Sequence, residues 1–387
     1  VFVSIPDSRT PLFASPRNPL LLADRWRSLA VLLLAVTLSL SARVPGGGAA
    51  DARNSPARPD RSGTGPALAR NTDSDIEGET DSGHGALADG PRISGAFFQL
   101  WESDRERPST YWEKELSLMQ AIGLDLVIIQ SNQPDGANFS DITEKILLAA
   151  DGLGMRVFIG TALNEKGWYT NKASATFLAA EAKSIASYTK AMVGQFKPHR
   201  SFKGVYLPYE DNGLYPWTRE AMGDFYGMIS QAARGEKPDL KVMISPYTAL
   251  IPSLDIPRPT GWTEWHFTGV LQRAGVDICA WQDGVGCSPS RIDDVEAELA
   301  AMVRACRAAN VECWGNVEIF HTENGQTDPT SIDMLKLQLK RESHLVETFI
   351  CFDFNHYMSP QNGNPKAARL YEEYRGLVTD SRTGLGF

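Results

Sequence analysis

The chain has 387 residues, a formal charge of −9, 42% hydrophobic and 22% charged residues. These values suit an ordinary globular protein with enough length for a large core. The acidic balance, without a basic cluster in the body of the chain, argues against nucleic acid or an anionic membrane surface as partner and leaves a neutral substrate as the better fit.

Residues 1–50 read as an export segment. Arg25 and Arg27 precede an apolar run from Leu29 to Leu40, and small residues follow to Ala49 and Ala50. That order is the pattern of a secretory signal, and the run is too short for a comfortable membrane span. A secreted or periplasmic location is therefore expected, the alternative being an uncleaved anchor, with no other membrane contact. Residues 51–90 are rich in Asp, Arg, Ser, Gly and Pro and lack aromatics. Such a segment buries too little apolar surface to offset its ordering entropy, so it is expected to be a disordered linker.

From residue 91 to 380 short β-rich runs alternate with helical patterns. The predicted strands are Ile93–Trp101, Asp125–Gln130, Arg156–Ala162, Gly204–Glu210, Lys241–Pro246, Asp277–Gln282, Glu312–Ile319 and Thr348–Phe354. Predicted helices follow them, starting near Ser109, Asp141, Ala173, Thr218, Trp262, Ile292, Ser331 and Pro365. Strands that are apolar on both faces imply a parallel sheet covered by helices. Eight strand–helix units are the count for a single (β/α)₈ TIM barrel, an α/β fold. An open doubly wound sheet would carry a glycine-rich loop after its first strand, and Gln99 to Ser103 is nothing like one.

In such a barrel the C-terminal strand ends build the site. They supply Gln99 and Trp101 from strand one, Gln130 from strand two, Asn164 beyond strand three, and Tyr209 with Glu210 from strand four. Strand five adds Tyr247, strand six Trp281, Gln282 and Asp283, strand seven Asn316 and Glu318, and strand eight Asp353 and Asn355. Amides, carboxylates and aromatics dominate and basic residues are nearly missing. A glycan fits such a lining better than a phosphorylated ligand. A glycosidase needs two carboxyl groups about the scissile bond. Glu210 is expected as general acid/base and Glu318 as nucleophile, with the other residues binding substrate. Asp283 is equally readable as a turn residue, and Asp353 suits a structural or substrate-orienting role better than a catalytic one.

His266, His321, His344 and His356 form no metal-ligand pattern, and neither HExxH nor GxSxG occurs. No metal and no cofactor is expected. Five cysteines lack CxxC spacing. Cys279, Cys313 and Cys351 read as small buried residues in strands, with one disulfide among the five left open. Trp112, Trp262, Trp265 and Trp314 read as core; Trp101, Trp168, Trp217 and Trp281 are the candidate ligand platforms. The sequence leaves the sugar and the oligomeric state undetermined.

Several segments resemble a bacterial barrel family: Gly95 to Trp101, the helix with Trp112 and Glu115, Gly123 to Gln130, Tyr206 to Glu210, and Trp281 to Gly286. That family is domain of unknown function 4434, regarded as glycoside-hydrolase-like. The placement of Glu210 and Glu318 is also similar to the large group of retaining glycosidases on this barrel. The resemblance implies acid/base and nucleophile roles for these two residues. Tyr209 departs from the Asn that often precedes the strand-four glutamate there. The alternatives are a non-catalytic glycan-binding barrel and a polysaccharide-assembly partner.

Overall fold

A computed structural model of the chain describes residues 91–248 and 259–382. The export segment and linker expected over residues 1–90 lie outside the described residues. Eight parallel strands close into a barrel: β1 (Ile93–Phe98), β2 (Leu126–Ile129), β3 (Arg156–Gly160), β4 (Phe202–Leu207), β5 (Lys241–Ile244), β6 (Ile278–Gln282), β7 (Glu312–Glu318) and β8 (Phe349–Phe352). Each pairs with its sequence neighbours, and β8 pairs back onto β1. The helices are α1 (Ser109–Ala121), α2 (Ser140–Leu153), α3 (Ala175–Phe196), α4 (Arg219–Glu236), α5 (Thr260–Ala274), α6 (Val295–Ala309), α7 (Ile332–Glu342) and α8 (Pro365–Arg382). The predicted TIM barrel is therefore present.

Alternation along the strands sorts side chains into two cores. Phe97, Ile128, Phe158, Tyr206, Met243, Ile278, Ala280, Trp314 and Ile350 fill the barrel interior. Their neighbours, such as Phe98, Val127, Val205, Cys279 and Val317, face the helices in a larger outer core. Burying each large apolar side chain contributes about 1.5–3 kcal/mol, so the barrel wall is held from both sides. Above the apolar interior the same parity raises Gln282 and, on β7, Asn316 and Glu318.

Several strands stop short of their expected ends, the first at Phe98 and the fourth at Leu207. The third stops at Gly160, and Ala162–Leu163 instead pairs with Gln133–Pro134 in a small separate sheet. The eighth stops at Phe352, because the Asp353 side chain accepts the His356 N–H and caps the short helix Phe354–Tyr357. A hairpin unanticipated in the sequence follows β7, Phe320–Glu323 with Gln326–Pro329. Its turn holds Asn324 and Gly325 at φ 51° and 77°. All five cysteines are free thiols; Cys279, Cys306 and Cys351 are buried, Cys313 is half-buried and Cys287 is exposed. Among the described residues no helix is long and apolar enough to cross a membrane.

Candidate active site

Beyond β4 the strand parity continues, so Tyr209 turns outward and Glu210 inward. Tyr209 is fully buried in the outer core, its ring against Trp168 and Phe225. Its hydroxyl donates to Glu181 at 2.8 Å and accepts from the Asn164 N–H. It has no face left for a ligand, which corrects its expected substrate-binding role. The half-buried Glu210 carboxyl bonds to the Gln282 side chain. Burial lifts its pKa to about 7, against the opposing pull of Gln282 and of the Lys172 charge, with Glu165 adding a smaller push upward. A carboxyl so placed keeps its proton near neutrality, the property a general acid needs.

The β6 end repeats the alternation. Trp281 faces the outer core, fully buried, with its indole N–H on Thr248 Oγ1 at 3.1 Å. The expected Trp281 platform is therefore a packing residue. Gln282 faces inward, bonded to the Ser245 carbonyl at 2.6 Å and reaching Glu210. Asp283 is fully buried and its oxygens are taken: Oδ1 accepts the N–H groups of Val285 (3.0 Å) and Glu318 (3.3 Å), Oδ2 the amide of Gln338 (2.6 Å). It clamps the turn after β6 to the end of β7 and cannot touch a substrate as expected.

That clamp positions Glu318. Its carboxylate oxygen Oε2 accepts the Cys287 N–H at 3.0 Å, and the Gly286 N–H is a second donor. A Cβ at Gly286 would stand 2.7 Å from the Phe320 carbonyl oxygen and 2.9 Å from both Cβ and Oε2 of Glu318. Only glycine lets the turn come this close. Glu318 is 4% exposed. Burial raises its proton affinity most, the Asp283 charge next, and the Glu210 charge adds to the rise, while the two N–H groups pull the other way. Farther out, the Glu342 carboxyl on α7 is fully buried without a hydrogen bond, and burial pushes its pKa well up. Glu210 and Glu318 feel one another, and the Cys287 thiol feels both. Together they form a mouth with two carboxyl groups of raised proton affinity, one served by Gln282, the other by backbone N–H donors.

The remaining expected residues divide between support and surface. Asn316 is buried below Glu318, donating to Ser245 Oγ at 3.0 Å, with its oxygen unpaired. Asn355 braces the end of β1, accepting the Gln99 N–H at 3.1 Å and donating to the Gln99 carbonyl at 2.9 Å. Asp353 is fully buried, caps its helix and holds His356 Nδ1 at 2.8 Å. These three are scaffold, not ligand contacts. Asn164 caps the short helix Glu165–Asn171 through the Gly167 N–H. Gln99, Gln130 and Tyr247 are half-buried, and the Tyr247 hydroxyl accepts from Asn212. Trp101 is 45% exposed and stacks on His356, ring centres 4.0 Å apart.

Of the other tryptophans, Trp112 and Trp314 are buried as expected, and Trp168 is buried against Tyr209 and Phe225, which corrects its expected role as a ligand platform. Trp265, expected in the core, is exposed under the Arg219 guanidinium, 4.3 Å away. Trp217 is exposed, with its indole N–H donating to the Ala173 carbonyl at 2.9 Å. Two residues near the mouth were not anticipated: Cys287 supplies an N–H to Glu318, and Lys172 places a cation near Glu210. Tyr357, beyond the eighth strand, feels the Asp353, Cys287 and Glu318 charges. The Gly284-Val285-Gly286 run was the visible signal for Cys287. Among the described residues no group of three His, Cys, Asp or Glu side chains could hold a metal ion.

The model of one protein family, a domain of unknown function (DUF4434), matches residues 93–364. The chain belongs to this family. No curated protein sequence matches it. Among solved structures, this DUF4434 member is similar to a "putative alpha-L-fucosidase" from Bacteroides thetaiotaomicron VPI-5482, at 20% identity and TM-score 0.63, over 78% of this chain and 98% of that one. It is also similar to the beta-galactosidase of the psychrophilic Marinomonas ef1, at 10% identity and TM-score 0.52, over 76% and 61%. The hyperthermostable endo-1,4-beta-D-mannanase of Thermotoga petrophila RKU-1 gives 10% identity and TM-score 0.50, over 73% and 99%. The DUF4434 barrel thus has a glycoside-hydrolase-like fold.

Proposed function

We propose that this DUF4434 protein hydrolyses glycosidic bonds of an oligo- or polysaccharide with retention, using Glu210 as acid/base and Glu318 as nucleophile. The observation that carries the reading is the meeting of two inward carboxyls whose surroundings differ. Glu210 has a pKa of about 7 and keeps a proton to give. Glu318 accepts N–H bonds from Gly286 and Cys287, which favour its ionised form, while burial and the Asp283 charge hold its pKa at about 8 in the free protein, above that of Glu210. Hydrolase neighbours on the same barrel support the substrate class but not the residue roles.

The reaction runs in two steps. The Glu318 carboxylate attacks the anomeric carbon, the bond to the leaving oxygen breaks, and the Glu210 proton passes to that oxygen. Water then attacks the glycosyl ester, gives its proton to Glu210 and releases Glu318. Gln282, bonded to Glu210, orients the acid. A polymeric substrate agrees with the secreted or periplasmic location inferred from residues 1–50.

A reducing-sugar assay over a panel of glycans, on wild type beside Glu210→Gln and Glu318→Gln, tests the reading. Wild type is expected to release reducing ends, and each variant to lose about 10²–10⁴-fold of that rate while still binding. Unchanged turnover in either variant removes that residue from the mechanism. Binding without turnover in wild type assigns the chain to non-catalytic glycan recognition.

A further inference from the structure

A recess opens at the hairpin after β7. It has a volume of about 480 Å³ and lies between the β8–β1 sector and the hairpin after β7. That volume is within the range of about 300–1,000 Å³ usual for small-molecule sites. Neither Glu210 nor Glu318 lines it. Trp101, His356, Tyr357, Gln326, Asp328 and Asn364 do, and no Lys or Arg is among the lining residues.

The chemistry of this lining is specific. One face of the Trp101 indole rests on His356, so its 45% exposure belongs to the other face and the rim. The imidazole is held from behind by Asp353 at 2.8 Å. An exposed indole backed by a fixed ring is a rigid apolar platform, and ordering it on binding costs little. Among the described residues the Gln326 amide and the Asn364 amino group have no hydrogen-bond partner. The Asp328 carboxylate is neutralised by Lys366 at 2.8 Å. The recess therefore offers an apolar plane with uncommitted amide donors and acceptors, and no net charge. Those features match a neutral pyranose ring, apolar on its faces and hydroxylated at its edge, and disfavour a phosphate or an acidic sugar.

Tyr357 joins this recess to the reaction centre. It lines the recess, and its phenol feels the charge of Glu318. The hairpin that forms the outer wall begins two residues after Glu318.

Resting on the hydrolase reading for the role of the glutamates, we propose that the Trp101 recess is a distal subsite for an uncharged sugar ring. The protein then takes an extended neutral glycan and not a monosaccharide unit. Calorimetric titration of the full-length Glu210→Gln/Glu318→Gln protein with mannose and xylose oligomers, from the monosaccharide to the hexasaccharide, tests this. Affinity for at least one series is expected to rise with length. Trp101→Ala, added to that background, is expected to weaken hexasaccharide binding about tenfold, equal to 1.4 kcal/mol, and to leave the disaccharide unchanged. Gln326→Ala, an exposed hairpin position, is expected to act in the same direction with the Tm preserved.

The proposal is overturned if no oligomer binds at millimolar concentration, if the hexasaccharide binds no tighter than the disaccharide, or if both variants match their parent. A wild-type protein that shows the Trp101-dependent gain with length but releases no reducing ends keeps the subsite and loses the hydrolysis.

Discussion

The mouth of the barrel has two sectors built on opposite principles. Between β4 and β7 the carboxyls of Glu210, Asp283 and Glu318 are crowded and their proton affinities are raised by burial. Between β8 and β1 the carboxyl of Asp353 is equally buried, yet it is matched to His356, and an open indole lies above. The first sector stores unfavourable electrostatics, as a centre for proton transfer requires. The second satisfies its charges and spends its surface on an exposed aromatic, as a binding platform requires. Buried carboxyls alone therefore do not mark the chemistry; their partners do.

The largest effect that would sharpen this contrast is expected at Gly286. Gly286→Ala forces a methyl group against the Phe320 carbonyl and Glu318, neither of which can yield easily. Overpacking of this kind costs about 1–3 kcal/mol. Turnover is expected to fall by up to about 100-fold, with a lowered Tm by calorimetry. Wild-type turnover in that variant would show that the turn does not position the nucleophile.

The pH dependence should separate the sectors next. On the proposed roles, activity in the first needs Glu318 ionised and Glu210 protonated, and both groups titrate above the ordinary carboxylate range. A bell-shaped profile displaced upward is expected, its two limbs belonging to the pair and lying near about 7 and about 8. The linkage sign follows: a carboxyl raised in the folded state gives its stability below its unfolded pKa and loses it as pH rises through the folded one. Glu210→Gln is therefore expected to gain Tm relative to wild type above neutrality. A rate flat through neutral pH would contradict the raised acid.

The smallest effect belongs to the second sector. Burial alone would lower the His356 pKa, but Asp353 first, then Asp104 and Glu115, outweigh it and raise it above the ordinary 6.5. The stability this brings is present at acid pH and lost as pH climbs through the folded value. The fluorescence difference between wild type and Trp101→Phe should titrate with a midpoint above 6.5, as the imidazolium beneath the indole loses its proton. A midpoint below that value would reverse the assignment of Asp353 as its satisfied partner.

Much of the barrel was legible because two-sided apolar strands leave few alternatives. Glu210 and Glu318 were legible as strand-end carboxylates. Their neighbours were harder, because listing strand ends ignores parity. Counting by twos from Tyr206 separates outward Tyr209 from inward Glu210, and counting from Ala280 separates outward Trp281 from inward Gln282. The turn role of Asp283 was legible, and its Oδ1 accepts the Val285 N–H; its bond to Gln338, distant in sequence and brought close by α7, was not. The hairpin after β7 carried its signal in Asn324-Gly325, a turn pair suited to positive φ at both residues. Trp265 reads as core from its type alone, but its side of α5 faces solvent.

The most direct test of the central claim is covalent trapping. Wild-type protein would be incubated with activated 2-deoxy-2-fluoro glycosides of mannose, xylose, galactose and fucose, then digested and weighed by mass spectrometry. One glycosyl unit is expected on the peptide carrying Glu318, and none in Glu318→Gln. An adduct on another residue, or turnover of the parent glycosides with no adduct at all, would contradict the assignment.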